Sequence, residues 1–260
     1  MIKEQLYEMY LPYPGRGDRL IRVFVPEHGE NEKLPVVYMP DGQSIFDDES
    51  SAFGSWHTRE AVRDERKRSG RAAIIVGIHT LSETRANELT PATIGKIYIP
   101  EDMPFKIEPE GEVFCDFVIK TVMPAVEARF PVLKGRENTA FCGSSSGGLI
   151  CFFIVMSHPE LFSAAGVLSP AFLGFAQEDM RLWIERSLRE DKPFFYFYSG
   201  AEGELEKLIC ESERWTFEIM RERYPKKLLK ELIVPGAIHH ESAWEPVFRD
   251  FLSVFLGTKE

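Results

Sequence analysis

The sequence predicts an α/β fold, a mostly parallel central sheet with helices on both faces. Three observations predict it. Strand-like and helix-like stretches alternate from Leu34 onward. The strand-like runs, such as Ala72 to Ile78 and Phe194 to Tyr198, are continuously apolar. That fits strands covered on both faces rather than strands with one wet side. Third, Thr139-Ala140-Phe141-Cys142 passes through Gly143-Ser144-Ser145-Ser146-Gly147-Gly148 into the apolar run Leu149 to Met156. This reads as strand, sharp turn and buried helix.

The elements follow in order. Leu6 to Leu11 and Leu20 to Val25 alternate as strands, with Pro12, Pro14, Gly15 and Gly17 marking the turn between them. Leu34 to Met39 is a short central strand, ended by Pro40-Asp41-Gly42-Gln43. Trp56 to Arg68 reads as a helix ending before Gly70, and Ala72 to Ile78 as the next buried strand. Residues 80–111 are rich in Pro, Thr and charge and keep no period, so a lid or pocket-lining insertion is expected there. Val113 to Arg129 places Val118, Val122 and Val126 on one helical face, and Pro124 within it predicts a kink or break. Beyond the Gly143–Gly148 turn come strands at Phe162 to Leu168, Pro193 to Tyr198 and Lys227 to Val234. Helices at Asp179 to Leu188, Glu204 to Arg223 and Ala243 to Phe255 alternate with them. No repeat, low-complexity tract or Gly/Ser linker interrupts the chain, so a single domain over residues 1–260 is expected.

Bulk properties narrow the function classes. The net charge is −10 and the pI is near 5.3, with no basic stripe to neutralise phosphates, which argues against a nucleic-acid partner. The basic cluster from Arg63 to Arg71 is broken by Asp64 and Glu65 and reads as the wet face of a helix. No apolar stretch is long enough to span a membrane, and no apolar segment of a signal peptide follows Lys3. Cys115, Cys142, Cys151 and Cys210 lack paired C-x-x-C spacing; they read as reduced core residues of a cytoplasmic protein.

The chemistry is expected at Ser145, the centre of the G-x-S-x-G turn. A serine on such a turn is lifted clear of the sheet, and Gly143 and Gly147 supply room for strained backbone. The N–H of Ser146 and the helix behind it point where an oxyanion would form. A serine hydroxyl needs a base. His239 and His240 follow the late run Ile233-Val234-Pro235-Gly236 on a loop that feeds the last helix, and one of the pair suffices. The base needs an acid, expected after a late strand between serine and histidine. Glu202 lies nearest the end of the Phe194–Tyr198 run, with Glu204 as its rival. A second oxyanion donor is expected from the backbone of Gln43 in the Asp41-Gly42-Gln43-Ser44 loop. His239-His240-Glu241 lacks the i,i+4 histidine spacing of a zinc helix, so no metal is expected.

These residues resemble the esterase family of α/β-hydrolases, which includes enterochelin-type siderophore esterases, S-formylglutathione hydrolases and feruloyl esterases. The D-G-Q-x-x-F loop at Asp41, the elbow at Gly143 to Gly148 and the H-x-E-x-x-W stretch from His239 to Trp244 carry the resemblance together. Arg85-Ala86-Asn87-Glu88-Leu89-Thr90-Pro91, Leu168-Ser169-Pro170 and Gly200-Ala201-Glu202-Gly203 extend it over most of the chain. It implies an α/β-hydrolase fold and a serine hydrolase that cleaves a small-molecule carboxylic ester through an acyl-enzyme, with no cofactor. Ser145 would be the nucleophile, His239 the base and Glu202 the acid. Arg85, Trp244 and His240 are candidates for touching substrate. Two alternatives stand beside this: acyl transfer on the same triad, and a non-catalytic binding protein of the same fold.

Overall fold

A computed structural model of the chain describes residues 1–99 and 106–257. The strands are β1 (Gln5–Tyr13), β2 (Gly17–Val25), β3 (Val36–Pro40), β4 (Ile74–Ile78), β5 (Thr139–Ser144), β6 (Ala164–Leu168), β7 (Phe194–Gly200) and β8 (Leu229–Val234). They form one sheet in the order β1-β2-β4-β3-β5-β6-β7-β8. β1 and β2 pair antiparallel, β2 meets β4 antiparallel, and from β4 to β8 every pairing is parallel. Every residue of β3, β4, β5 and β6 is buried, as their mainly apolar sequences lead one to expect.

The helices are α1 (Thr58–Ser69), α2 (Arg85–Glu88), α3 (Gly111–Phe117), α4 (Met123–Arg129), α5 (Ser146–Ser157), α6 (Gln177–Ser187), α7 (Glu204–Arg223) and α8 (Glu241–Gly257). They cover both faces. Phe114, Phe152, Trp183 and Phe217 anchor one layer of core, and Trp56, Val62, Phe248 and Phe251 anchor the other. α5 is buried all round from Gly147 to Met156, which explains why its sequence shows no polar stripe. None of the described helices is long and apolar enough to cross a membrane.

Two expectations are refined. The break foreseen at Pro124 is a π-helical turn, Val118–Val122, that joins α3 to α4. Proline has no N–H and its ring crowds the carbonyl four residues earlier, so widening the preceding turn keeps the helix running. The aperiodic stretch 80–111 is partly core: Leu89 and Ile94 are buried, and buried Glu88 takes both guanidinium nitrogens of buried Arg19, at 2.7 and 2.9 Å. Residues 100–105 of that stretch lie outside the described residues.

Three of the four described non-glycine residues with positive φ follow directly on strand ends. Asp41 (φ 56) follows β3, Ser145 (φ 58) follows β5 and Ser169 (φ 39) follows β6. Strained backbone is therefore gathered at the carboxyl edge of the parallel sheet, where ligands bind in folds of this class.

Candidate active site

Ser145 sits between β5 and α5 with φ 58 and ψ −126. Its backbone is fixed on both sides: its N–H donates to the Leu168 carbonyl at 3.0 Å, and its own carbonyl accepts from Gly148, Leu149 and Ala171. The turn closes so tightly that a Cβ on Gly143 would stand 2.4 Å from the Gly147 carbonyl oxygen, so only glycine fits. These constraints lift the Ser145 hydroxyl off the sheet edge. Ser146 opens α5, and an amide in the first turn of a helix has no carbonyl within the helix to pair with.

The hydroxyl meets His239. Ser145 Oγ and His239 Nε2 are 3.0 Å apart, and His239 Nδ1 lies 2.6 Å from Glu206 Oε2. A carboxylate can only accept, so Nδ1 carries the proton and Nε2 faces the serine as an acceptor. The loop that delivers His239 is pinned at Ala237, whose carbonyl accepts from Ala201 and Glu202. That carbonyl occupies the space a Cβ would fill on Gly200, at 2.2 Å, which is why β7 ends in glycine.

The carboxylate at the His239 ring is that of Glu206, not of Glu202, where the sequence led us to expect it. Glu202 is exposed and contributes only its backbone N–H, to Ala237; Glu204 is exposed at the first position of α7. Glu206 is 1% exposed. Its Oε1 accepts from the Gly200 N–H at 2.6 Å and from the Ser169 hydroxyl at 2.7 Å. The physical reason is helical phase. Glu206, Ile209, Glu213, Phe217 and Met220 all lie on the buried face of α7, whereas Glu202 and Glu204 face solvent. The sequence carried this signal: Glu206 is in register with the apolar residues three, eleven and fourteen places on.

The other expected residues gather around the same pocket. His240 lines it, with Nδ1 accepting the Ser242 N–H at 3.2 Å. Trp244 lines it too, but its indole N–H is spent on Ser169 Oγ at 2.9 Å, and its ring stands edge-on to His239 at 4.9 Å. Arg85 grips Asp41 with Nε and Nη2, each at 2.7 Å. Burial alone would raise the Asp41 pKa, but the Arg85 charge and the hydrogen bonds of Arg85, Thr80 and Gln43 outweigh it and hold it below the usual range. The Gln43 side chain bridges to Thr80 through Nε2 at 3.0 Å and Oε1 at 3.2 Å. Among the described residues, no protein acceptor takes the Gln43 backbone N–H. The cavity at this point measures about 550 Å³ and carries Ser145 and His239 on its wall.

Residues 16–248 match the model of the Esterase family, described as "Putative esterase". The chain belongs to the Esterase family. It is a carboxylesterase-type enzyme that hydrolyses esters. It is 29% identical over 180 residues to a siderophore triacetylfusarinine C esterase of Aspergillus fumigatus, covering 63% of this chain and 55% of that one. The crystal structure of the BES protein from Bacillus cereus superposes with a TM-score of 0.76 at 20% identity, covering 98% and 96% of the two chains. The enterobactin esterase FES from Shigella flexneri gives 0.75 at 17% identity, covering 98% of this chain and 60% of that one. At such identities the likeness shows the fold, and the fold is that of the α/β-hydrolases.

Proposed function

We propose that this esterase works through a Ser145–His239–Glu206 triad and an acyl-enzyme intermediate, within one domain in which Thr80, Ser82 and Arg85 of the 80–111 stretch help wall the pocket. The observation that carries this reading is the unbroken hydrogen-bond chain from Ser145 Oγ through the His239 ring to Glu206. His239 Nε2 takes the Ser145 proton as Oγ attacks the ester carbonyl carbon. Glu206 holds the ring in the required tautomer and stabilises the imidazolium. The carbonyl oxygen becomes an oxyanion facing the N–H groups of Ser146 and Gln43. Collapse breaks the C–O bond, and the departing alkoxide takes the proton from His239 Nε2. Water then attacks the acyl-enzyme, giving its proton to His239, and Ser145 recovers it as the acid leaves. Water in the second step makes this hydrolysis; an alcohol there would make it acyl transfer.

The substrate is read as a small-molecule ester, because the nucleophile opens onto a pocket rather than a flat surface. Four buried, unpaired cysteines support a reducing, cytoplasmic setting. The test is labelling by a fluorophosphonate probe together with turnover of simple esters. Wild-type protein should be labelled at Ser145. Ser145→Ala should lose the label, and its turnover should fall by several orders of magnitude, as much as ~10^6. Full activity in Ser145→Ala, or labelling at Ser144 or Ser146 instead, would sink the assignment.

A further inference from the structure

Among the described residues, one charged group on the pocket wall has no ion-pair partner. The wall carries Asp41, Arg85 and Glu241 beside the two histidines. Asp41 and Arg85 cancel, since two of the arginine's three nitrogens are bound to that carboxylate. Glu241, at the first position of α8, forms no ion pair and no side-chain hydrogen bond with any other described residue. Burial pushes its pKa up, countered by its own backbone N–H and the nearby His240 and His239, while Asp41 adds repulsion. Arg85 attracts it through space but is already committed to Asp41. His57, next in sequence to the lining Trp56, stands between Asp48 and Glu245, at 3.3 and 3.2 Å, so it brings no net positive charge.

The same wall is aromatic. Trp56 and Trp244 line it, and Phe53, 68% exposed, lies at the pocket with no role in the core. Aromatic faces attract cations, more strongly where water is excluded. A pocket lined by both an unpaired carboxylate and aromatic rings suits an ammonium head, and an anionic ligand would meet an uncompensated negative charge. The chain's net charge of −10 favours approach of cations as well.

We propose that Glu241 and the ring of Phe53 with Trp56 form a subsite for a cationic group on the substrate, making this an esterase of amine- or alkylammonium-bearing esters. The proposal rests on the reading of Ser145 as nucleophile. Glu241, which the pocket itself leaves unmatched, would determine specificity by pairing with that cationic group.

The test uses isosteric pairs. Acetylcholine is compared with its carbon isostere, in which tert-butyl replaces trimethylammonium, to place the charge on the alcohol. The para-nitrophenyl esters of γ-trimethylammonio-butyrate and of its tert-butyl isostere place it on the acyl group. The cationic member of at least one pair should show about tenfold higher kcat/KM, and Glu241→Gln should abolish most of that ratio, in line with the worth of a desolvated cation site. A ratio at or below one in both pairs, or a ratio untouched in Glu241→Gln, would overturn the subsite. If no ester is turned over, the triad reading fails separately. The subsite is then read by calorimetry with tetramethylammonium: binding weakened in Glu241→Gln supports it, and equal or absent binding in both proteins overturns it.

Discussion

The Ser169 hydroxyl donates to Glu206 Oε1 at 2.7 Å while accepting the Trp244 indole N–H at 2.9 Å. Ser169 is fully buried and held at φ 39, with its N–H on the Tyr198 carbonyl. A strained, buried serine thus ties the acid to the tryptophan that stands edge-on to His239. Its part is positioning. Ser169→Ala leaves the indole N–H unpaired and gives Glu206 one donor fewer. We expect kcat to fall roughly tenfold to a hundredfold, at about 2 kcal/mol for a lost charged hydrogen bond, with KM nearly unchanged. Trp244→Phe should give a smaller loss of the same kind. A rise in KM at constant kcat would instead make these residues substrate contacts.

Glu206→Gln and Glu202→Gln separate the two candidate acids. With Glu206 neutral, the imidazolium loses its counter-charge, and kcat should drop by roughly 10^3–10^4. Glu202→Gln, which removes an exposed side chain, should leave the rate near wild type. Steady-state kinetics of the two variants decide it, and a collapse in Glu202→Gln alone would return the acid role to Glu202.

The positions of Ser145 and His239 at the sheet's carboxyl edge were legible in the sequence for a definite reason. Each sits in a loop just past an apolar strand, and there local order fixes position in space. Glu206 was not, because it lies six residues beyond the end of β7 and inside α7. Reading it required helical phase rather than proximity to a strand end. Ser169 was hidden for another reason: a serine after a strand is commonplace, and only tertiary packing brings it to Glu206 and Trp244. The sheet was readable because β3 to β7 are built on short apolar runs. The π turn before Pro124 was readable only as a disturbance.

Arg85 and Asp41 give a third prediction. Their double hydrogen bond holds the loop that carries Gln43. Arg85→Ala leaves Asp41 partly buried without its cation, a change that costs on the order of 3–5 kcal/mol for buried pairs. The melting temperature and kcat should fall together. Arg85→Lys keeps the charge but loses the fork, so it should recover only part of both. Asp41→Asn in the Arg85→Ala background should restore melting temperature. Denaturation curves for the three variants would show it, and an unaltered melting temperature in Arg85→Ala would contradict the loop-holding role.

The last prediction concerns a buried carboxyl that the proposed mechanism does not use. Glu213 lies two helical turns beyond Glu206 on α7 and is fully buried. Burial, and then the charge of Glu231, push its pKa up to about 8. In the unfolded chain the group titrates near 4.3. Between these values the native state holds a proton that the unfolded state has lost, so stability falls as pH rises through the window. Below about pH 4 both states are protonated and the group is neutral in its effect. Above about pH 8 the native state must carry a buried anion, and the penalty is complete, on the order of a few kcal/mol. Glu213→Gln keeps the shape and cannot ionise. It should therefore melt at a higher temperature than wild type at pH 9 and close to wild type at pH 5. Scanning both proteins across that range checks the sign. A variant equally destabilised at both ends would mean that Glu213 is ionised and paired in the folded protein.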